Sequence, residues 1–374
     1  MAGLYIHIPF CRSRCIYCGF YSTTALTMRQ QYVDAVCQEM IMRGDQHIST
    51  IYLGGGTPSQ LTIPQLEQIF AAVYKYNKVE EKTEVTIECN PDDVTEEFAS
   101  ALSRLPVNRV SMGVQTFDDN RLRFLHRRHS AAQVTKAVER VRAAGITNIS
   151  IDLMYGFPQE SLADWERDIN HALALRVEHL SSYCLMIEEG TELWRKVESG
   201  KWKENTEEAE REMYYTLIDR LETAGYEHYE ISNFARKGFR SRHNSCYWNG
   251  TPYIGIGAAA HSYDIKTRSW NVSDLFQYIN GIHQGKRIYE EETIDDDTRY
   301  NDAVTTALRT RDGLQLSTLP ERHQVYCLQN ARCFIENGLL ELTGKDGKSA
   351  SQILRLTRRG LFVSDMIMSE LMFV

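Results

Sequence analysis

Short runs of apolar and β-branched residues recur along the first half of the chain. Longer stretches separate them, with apolar positions that return every three to four residues. The short runs predict strands at residues 4–9, 51–53, 85–88, 109–114, 149–153 and 180–185. The longer stretches predict amphipathic helices at 28–43, 63–76, 131–144 and 162–175. Strands alternating with helices point to parallel pairing through crossover connections. Six such units over about 185 residues fit an incomplete (β/α)6 barrel better than a closed eight-fold one. An open doubly wound sheet is the structural alternative, because periodicity alone does not separate the two.

The pattern then changes. Segment 192–223 is charged and of helical period, with Trp194 and Trp202 as anchors. Gly225 ends it, and 226–231 reads as a strand. A loop rich in Arg, Asn and Tyr is expected over 232–248, followed by a short strand at 253–257. From about residue 290 helices are predicted at 298–311, 316–319 and 323–336. Runs at 339–342 and 353–356 flank Gly344-Lys345-Asp346-Gly347, a hairpin-turn signal, and a last helix is expected at 360–371. Three helices and a hairpin suggest a mainly helical, winged-helix-like appendage. The expected divisions are 1–190, 191–289 and 290–374.

The 374 residues include 42 Lys+Arg and 50 Asp+Glu, a net charge of −8. That balance, and the lack of a Lys/Arg stripe in the appendage, argue against nucleic acid as a partner. No apolar stretch reaches the ~20 residues that span a bilayer. Met1-Ala2-Gly3 runs straight into Leu4-Tyr5-Ile6-His7-Ile8 with no leader pattern, so a cytoplasmic protein is expected. The nine cysteines are odd in number and irregularly spaced, unlike a secreted disulfide framework.

Three of the nine crowd into one loop after the first predicted strand. Cys11-Arg12-Ser13-Arg14-Cys15-Ile16-Tyr17-Cys18 has the spacing C-x3-C-x2-C. Thiolates this close can converge on a single cluster. A closed zinc site wants a fourth ligand, whereas Gly19, Phe20 and Tyr21 follow here. Three thiolates on a four-iron cubane leave one iron open to an exogenous amine and carboxylate. Tyr17 would shield such a cluster, and Arg12 and Arg14 would stabilise its reduced form. A zinc site completed from elsewhere in the chain is the alternative, and clustered core cysteines a weaker one.

Other polar residues fall at predicted strand ends, where barrels place their chemistry. Gly54-Gly55-Gly56-Thr57-Pro58 follows the second strand, and Glu88 closes the third ahead of Cys89-Asn90-Pro91. Gln115 follows Gly113-Val114, and Asp152 precedes Leu153-Met154-Tyr155-Gly156-Phe157-Pro158. Glycines let backbone groups approach a ligand, although a tight turn explains them equally well. Buried carboxylates are costly unless paired, so Glu88 and Asp152 are expected to face a ligand. Arg127 is placed to pair with a ligand carboxylate.

The C-x3-C-x2-C loop after a first strand resembles the radical S-adenosylmethionine (SAM) superfamily. In that family three cysteines bind [4Fe–4S], the open iron chelates SAM, and one-electron reduction cleaves SAM to a 5′-deoxyadenosyl radical. Residues 5–18, 54–59, 88–91, 109–117, 152–158 and 253–257 are similar in kind and spacing to the coproporphyrinogen-dehydrogenase-like branch of that superfamily. The likeness covers nearly the whole chain. It implies a partial (β/α)6 radical SAM barrel with Cys11, Cys15 and Cys18 as cluster ligands. It also implies SAM contacts from Tyr5, Gly55, Gly56, Thr57, Glu88, Gln115, Arg127 and Asp152, with Met186 a looser match.

Within this branch the dehydrogenase carries a further cysteine two residues after the third, and an extension before the first strand. This chain has Phe20 there and starts three residues before the strand. Both departures resemble a sister group of heme chaperones, which carries His-Asn-x-x-Tyr-Trp. Here that motif is His243-Asn244-Ser245-Cys246-Tyr247-Trp248, complete. A neutral imidazole is a good heme ligand, and Tyr and Trp stack on porphyrins. Arg236, Lys237, Arg240 and Arg242 lie upstream, in reach of heme propionates. On the residues alone, a structural His243 with Trp248 as loop anchor is equally open. Cys246 is a second candidate iron ligand. Tyr253-Ile254-Gly255-Ile256-Gly257 leads through Ala258-Ala259-Ala260 to His261, a candidate for the SAM or heme pocket, where the family often has Gly-Cys-Gly-Ala-His. The resemblance implies a heme chaperone that binds [4Fe–4S], SAM and heme and delivers heme to acceptor hemoproteins such as respiratory proteins. It further implies an electron donor of flavodoxin or ferredoxin type and peripheral contact with membrane partners. Oxidative decarboxylation of coproporphyrinogen III is the enzymatic alternative, and a radical SAM methyltransferase acting on heme a further one.

Overall fold

The computed structural model describes residues 1–344 and 352–374. The six expected strands are β1 (Ala2–Ile8), β2 (His47–Gly55), β3 (Lys78–Cys89), β4 (Arg109–Gln115), β5 (Asn148–Tyr155) and β6 (His179–Cys184). They pair in parallel in sequence order. The crossovers carry α1 (Arg29–Met42), α2 (Ile63–Tyr76), α3 (Glu96–Leu102), α4 (Asp119–Phe124), α5 (Ala131–Ala143) and α6 (Leu162–Ala174). Capping boxes open α2, α5 and α6 at Thr62/Gln65, Ser130/Gln133 and Ser161/Asp164, which satisfies N–H groups that the first turn leaves free.

Apolar and polar residues alternate along these strands. Leu4, Ile6, Ile51, Leu53, Val110 and Ile151 belong to one buried core with the helices. Tyr5, Tyr52, Glu88, Arg109, Ser111 and Asp152 occupy the alternate positions on the opposite face. A parallel sheet covered by helices on both faces reads as a continuous apolar run. Here the second face lines the barrel interior, so it is polar.

Beyond β6 the single helix expected over 192–223 is two, α7 (Glu192–Glu198) and α8 (Glu207–Thr223). Gly200, in the left-handed region at φ +71°, lies in the break. The expected loop 232–248 is also corrected. After β7 (Glu227–Glu230) it contains β8 (Asn233–Ala235) and α9 (Arg242–Trp248). The Ser241 hydroxyl accepts from the Asn244 N–H, and the Glu84 carboxylate of β3 accepts from the N–H groups of Arg242 and His243. Ser241 is a local cap, but the second acceptor, 158 residues away in sequence, is invisible to local patterning.

The chain then adds β9 (Tyr253–Ile256) parallel to β1, followed by β10 (His261–Tyr263), β11 (Thr267–Asn271), α10 (Leu275–His283) and β12 (Tyr289–Thr293). Twelve strands form one sheet in the order β12-β11-β10-β9-β1-β2-β3-β4-β5-β6-β8-β7. Residue 290 lies within β12, which pairs with β11.

The C-terminal elements are α11 (Asp296–Ala307), β13 (Leu314–Gln315), α12 (Glu321–Glu336), β14 (Leu340–Thr343), β15 (Ile353–Leu356), α13 (Arg358–Leu361) and α14 (Ser364–Leu371). They enclose a second core that runs from Tyr300 to Leu371, with a sheet ordered β13-β15-β14. This is the expected α/β barrel followed by a mainly helical part. Residues 316–319 form a short 3-10 turn at Leu316–Thr318, and the last helix is split in two. The expected turn at Gly344-Lys345-Asp346-Gly347 lies, from Lys345 on, outside the described residues.

Glu39 of α1 joins the barrel to its added edge. Fully buried, it accepts from Tyr278 Oη at 2.7 Å, Asn271 Nδ2 at 2.9 Å and the Gly257 N–H at 2.9 Å, and faces Arg43 at 3.2 Å. Removing one partner of a buried charge network costs about 3 kcal/mol or more. Glu39→Ala should therefore lower the thermal unfolding midpoint and expose residues 253–283 to limited proteolysis. A wild-type midpoint would show that this network does not hold the edge.

Candidate functional site

The cysteine loop leaves the end of β1 and is held by a residue that carries no chemistry. Ile16 is buried in a small cluster with Leu125, Met154, Phe157, Leu185 and Leu193. Its backbone accepts from Leu193 N at 2.9 Å and donates to Leu125 O at 3.4 Å. With Ile16 pinned, Cys11, Cys15 and Cys18 stay half-buried beside the strand ends, while Phe20 is exposed. Burial pushes the Cys11 and Cys18 thiols up; Cys11 also feels the charge of Cys15, and Cys18 that of both other sulfurs. Among the described residues no three Cys, His, Asp or Glu side chains close on a point as ligands of one ion would. A cubane presents its irons at separate corners, so its thiolates need not meet at a point. Arg12 turns away to Gln60 at 3.1 Å, and Arg14 is exposed.

Two of the three sulfurs are joined by a polar chain across the strand ends. Cys11 Sγ lies 3.4 Å from Thr57 Oγ1, and Asn90 Nδ2 lies 3.5 Å from the same hydroxyl. Asn90 Oδ1 accepts from Arg127 Nη2 at 2.7 Å, and Arg127 Nη1 reaches Cys15 Sγ at 3.5 Å. Arg127 also donates to the Gly113 carbonyl. A Cβ at Gly113 would stand 3.1 Å from Arg127 Nη2, so the glycine keeps this approach open. Asn90 is a residue that sequence reasoning passed over. Its place after Glu88-Cys89 at a strand end was the available signal.

The carboxylates stand on the same rim. Glu88 accepts from Tyr52 Oη at 2.7 Å and from the Gly55 N–H at 3.1 Å. Burial pushes its carboxyl up to about 7, with the Tyr52 hydrogen bond opposing and Asp152 adding. Burial likewise pushes Asp152 up to about 6, opposed by hydrogen bonds from Ser181 and Ser111 and by Arg109 and Arg127. Gly55 adopts φ +108° against His7, and a Cβ at Gly56 would stand 2.6 Å from the Pro9 carbonyl carbon. These glycines are therefore required by the chain's own packing of β1 on β2, and Gly55 in turn aims Glu88. Tyr5 donates to or accepts from His7 Nδ1 at 3.0 Å and stacks on Tyr52. Gln115 sits at φ +70°, a strained conformation for a non-glycine residue, at a register shift between β4 and β5. Met186 lies just beyond β6 and is 68% exposed. Two acceptor carboxylates, an arginine and three thiols on one rim suit a small ligand with cationic and carboxylate groups beside a thiolate-bound cluster.

The His-Asn-x-x-Tyr-Trp motif lies below this rim. His243 is 1% exposed, stacks on Tyr52 at 5.1 Å, and uses both ring nitrogens. Nδ1 meets Thr50 Oγ1 at 2.9 Å and Nε2 meets Tyr247 Oη at 3.0 Å. Burial lowers its pKa to about 3, so the ring is neutral. An imidazole with a nitrogen free for iron is thus not what this conformation presents. Cys246 is buried inside α9, with its thiol on the Arg242 carbonyl. His261 is exposed and stacks on Trp270. Of the upstream cations, Arg240 is paired with Glu227 at 2.6 Å, Arg242 donates to the Lys82 carbonyl, and Arg236 lies over Tyr226. They serve the fold before any ligand.

Residues 5–172 match the model of the radical SAM superfamily. That family implies a [4Fe–4S] cluster and SAM. Over 330 residues the chain is 36% identical to the heme chaperone HemW of Bacillus subtilis, covering 86% of this chain and 87% of the relative. It is 31% identical over 380 residues to HemW of Mycobacterium tuberculosis, covering 99% and 94%. In structure it is similar to the coproporphyrinogen III oxidase HemN of Escherichia coli, with a TM-score of 0.85 and 22% identity over 99% of this chain and 90% of the other, a likeness of fold. With its thiol loop, strand-end carboxylates and these relatives taken together, the chain belongs to the HemW family of radical SAM proteins.

Proposed function

We propose that this protein is a cytoplasmic heme chaperone that holds a [4Fe–4S] cluster and SAM at the barrel rim, binds heme, and passes it to acceptor hemoproteins. The observation that carries the rim assignment is the chain Cys11–Thr57–Asn90–Arg127–Cys15, which ties two thiols to an arginine whose charge reaches Asp152. In this reading Cys11, Cys15 and Cys18 hold the cluster. When bound, the cluster supplies an iron with a position that no protein group fills. Glu88 and Asp152 accept from donor groups of SAM, Arg127 faces its carboxylate, and Tyr5, Gly55, Gly56, Thr57 and Gln115 shape the pocket. The heme part rests on the names of the relatives and on the motif of α9. Residues 1–190, 191–289 and 290–374 serve as barrel, extension and appendage, except that β12, which straddles the last boundary, belongs to the large sheet. Acceptor, electron donor and any membrane contact belong to the same proposal.

The second reading is coproporphyrinogen III dehydrogenation, favoured by the HemN-like fold. Exposed Phe20 stands where that enzyme carries its additional cysteine, which favours the chaperone. Anaerobically reconstituted protein given heme and an apo-hemoprotein should load the acceptor, read as its visible spectrum. Given coproporphyrinogen, SAM and a reductant it should yield no protoporphyrinogen, and formation of that product would overturn the chaperone reading.

Four further outcomes are expected. Cys15→Ala should lose nearly all cluster iron while far-UV circular dichroism stays unchanged; full iron content in the variant removes Cys15 from the ligand set. Glu88→Gln should weaken SAM binding at least ~10-fold, the scale of a lost charge-assisted hydrogen bond. In the wild type, affinity for SAM should fall as pH drops through about 7 and then about 6, because the raised carboxyls take up protons there. A flat profile from pH 5.5 to 8.5 would separate these groups from SAM. Heme ligation by His243 requires the Tyr247 phenol to leave Nε2. Tyr247→Phe should therefore tighten heme binding and His243→Ala abolish that gain; equal affinities in all three proteins place the iron ligand elsewhere.

A further inference from the structure

Arg109 enters the barrel from the first residue of β4 and is 1% exposed, among the largest fully buried side chains. Among the described residues its Nε and Nη1 have no hydrogen-bond partner, and neither has Thr86 Oγ1, the register neighbour on β3. A buried guanidinium normally lies against a carboxylate, because unpaired charge inside a protein is costly. Arg109 instead lies in the field of two carboxyls higher in the same interior. Glu88 is two positions beyond Thr86, and Asp152 pairs in register with Gly113, four positions beyond Arg109. The other basic groups on this floor are neutral. His179 has Nδ1 on Ser150 Oγ and Nε2 on Tyr229 Oη, and burial lowers its pKa well below the ordinary value. His243 is held neutral in the same way. Among the described residues Arg109 is thus the cation beneath the rim, as Arg127 is the cation on it.

We propose that Arg109 is a positioning residue, a counter-charge sealed under the SAM pocket that favours the carboxylate forms of Glu88 and Asp152. This rests on the SAM reading given above. Its effect is electrostatic and acts through the two carboxylates without contact with SAM. Around Glu88 stand Tyr52, Tyr5, Tyr247, Asp152 and Arg109. Around Asp152 stand Tyr52, Tyr183, Arg109 and Arg127, with Ser181 and Ser111 as donors. The tyrosines are all pushed further toward the neutral form by burial, so the two arginines are the charges that oppose protonation of the pair.

The test is the pH dependence of SAM affinity in full-length protein carrying its cluster, titrated anaerobically from pH 6 to 9. Removing an opposite charge raises a carboxyl pKa by about one unit or more. Arg109→Met should therefore bind SAM about 10-fold more weakly than wild type at pH 7 and approach wild-type affinity near pH 9. SAM binding near pH 7.5, followed calorimetrically in buffers of different ionisation enthalpy, should release more protons in the variant. Arg109→Lys should restore much of the wild-type profile. Should Arg109→Met fail to fold, Arg109→Gln removes the charge while keeping a donor, and the same shift is expected. An equal loss at every pH, or an unshifted profile, would overturn the proposal and leave Arg109 as packing. Unchanged SAM affinity in Glu88→Gln would instead defeat the SAM reading beneath it.

Discussion

A parallel sheet curved around an interior must place side chains on that inner face, and in this protein they are polar. The requirement that each buried polar group find a partner organises the rest of the molecule. Thr50 is met by His243, Ser150 by His179, His179 by Tyr229, and Glu88 by Tyr52 and the Gly55 N–H. Several of these partners come from beyond β6. The segment after the six-strand unit is therefore needed to satisfy the strands that precede it. The residues left without partners, Arg109 and Thr86 among them, mark where the interior serves something other than its own closure.

Above that floor the rim gathers groups of opposite character. The Cys11 and Cys15 thiols and the Asp152 carboxyl, which carry negative charge when ionised, stand within the reach of one part-buried arginine, Arg127. Arg127 touches one thiol directly and another through Asn90 and Thr57. Such a chain couples the orientation of the sulfurs to the backbone of β4 at Gly113. The small buried cluster around Ile16 performs the complementary task, because it holds the middle of the thiol loop by apolar contact alone.

Much of this was legible in the sequence. The six strands and four long helices follow from periodicity, and α2 begins and ends where the pattern places it, at Ile63–Tyr76. The three cysteines, Glu88, Asp152 and Arg127 were recognisable from residue type and position at strand ends. What remained hidden depends on contacts distant in sequence. The helix bearing the motif looked like a loop because it is short, and although Ser241 caps it locally, the carboxylate that takes its first N–H groups, Glu84, comes from β3. From the residues alone His243 stayed open between ligand and structural roles, because nothing local reveals that Thr50 and Tyr247 meet both its nitrogens. Arg109 looked like an ordinary strand residue until the register set it beside Thr86. Strands β10 to β12 were missed because short antiparallel edge strands carry too few residues to show a period.

The dependence of α9 on Glu84 and Thr50 also sets an order of assembly. Those contacts span 158 to 193 residues, so they form only after β2 and β3 are paired and residues 241–248 have been synthesised. The rim residues 5–152, and Leu185 and Leu193 that anchor Ile16, are all synthesised before α9. Until α9 has been made, the Thr50 hydroxyl and the Glu84 carboxylate lack the partners that it brings.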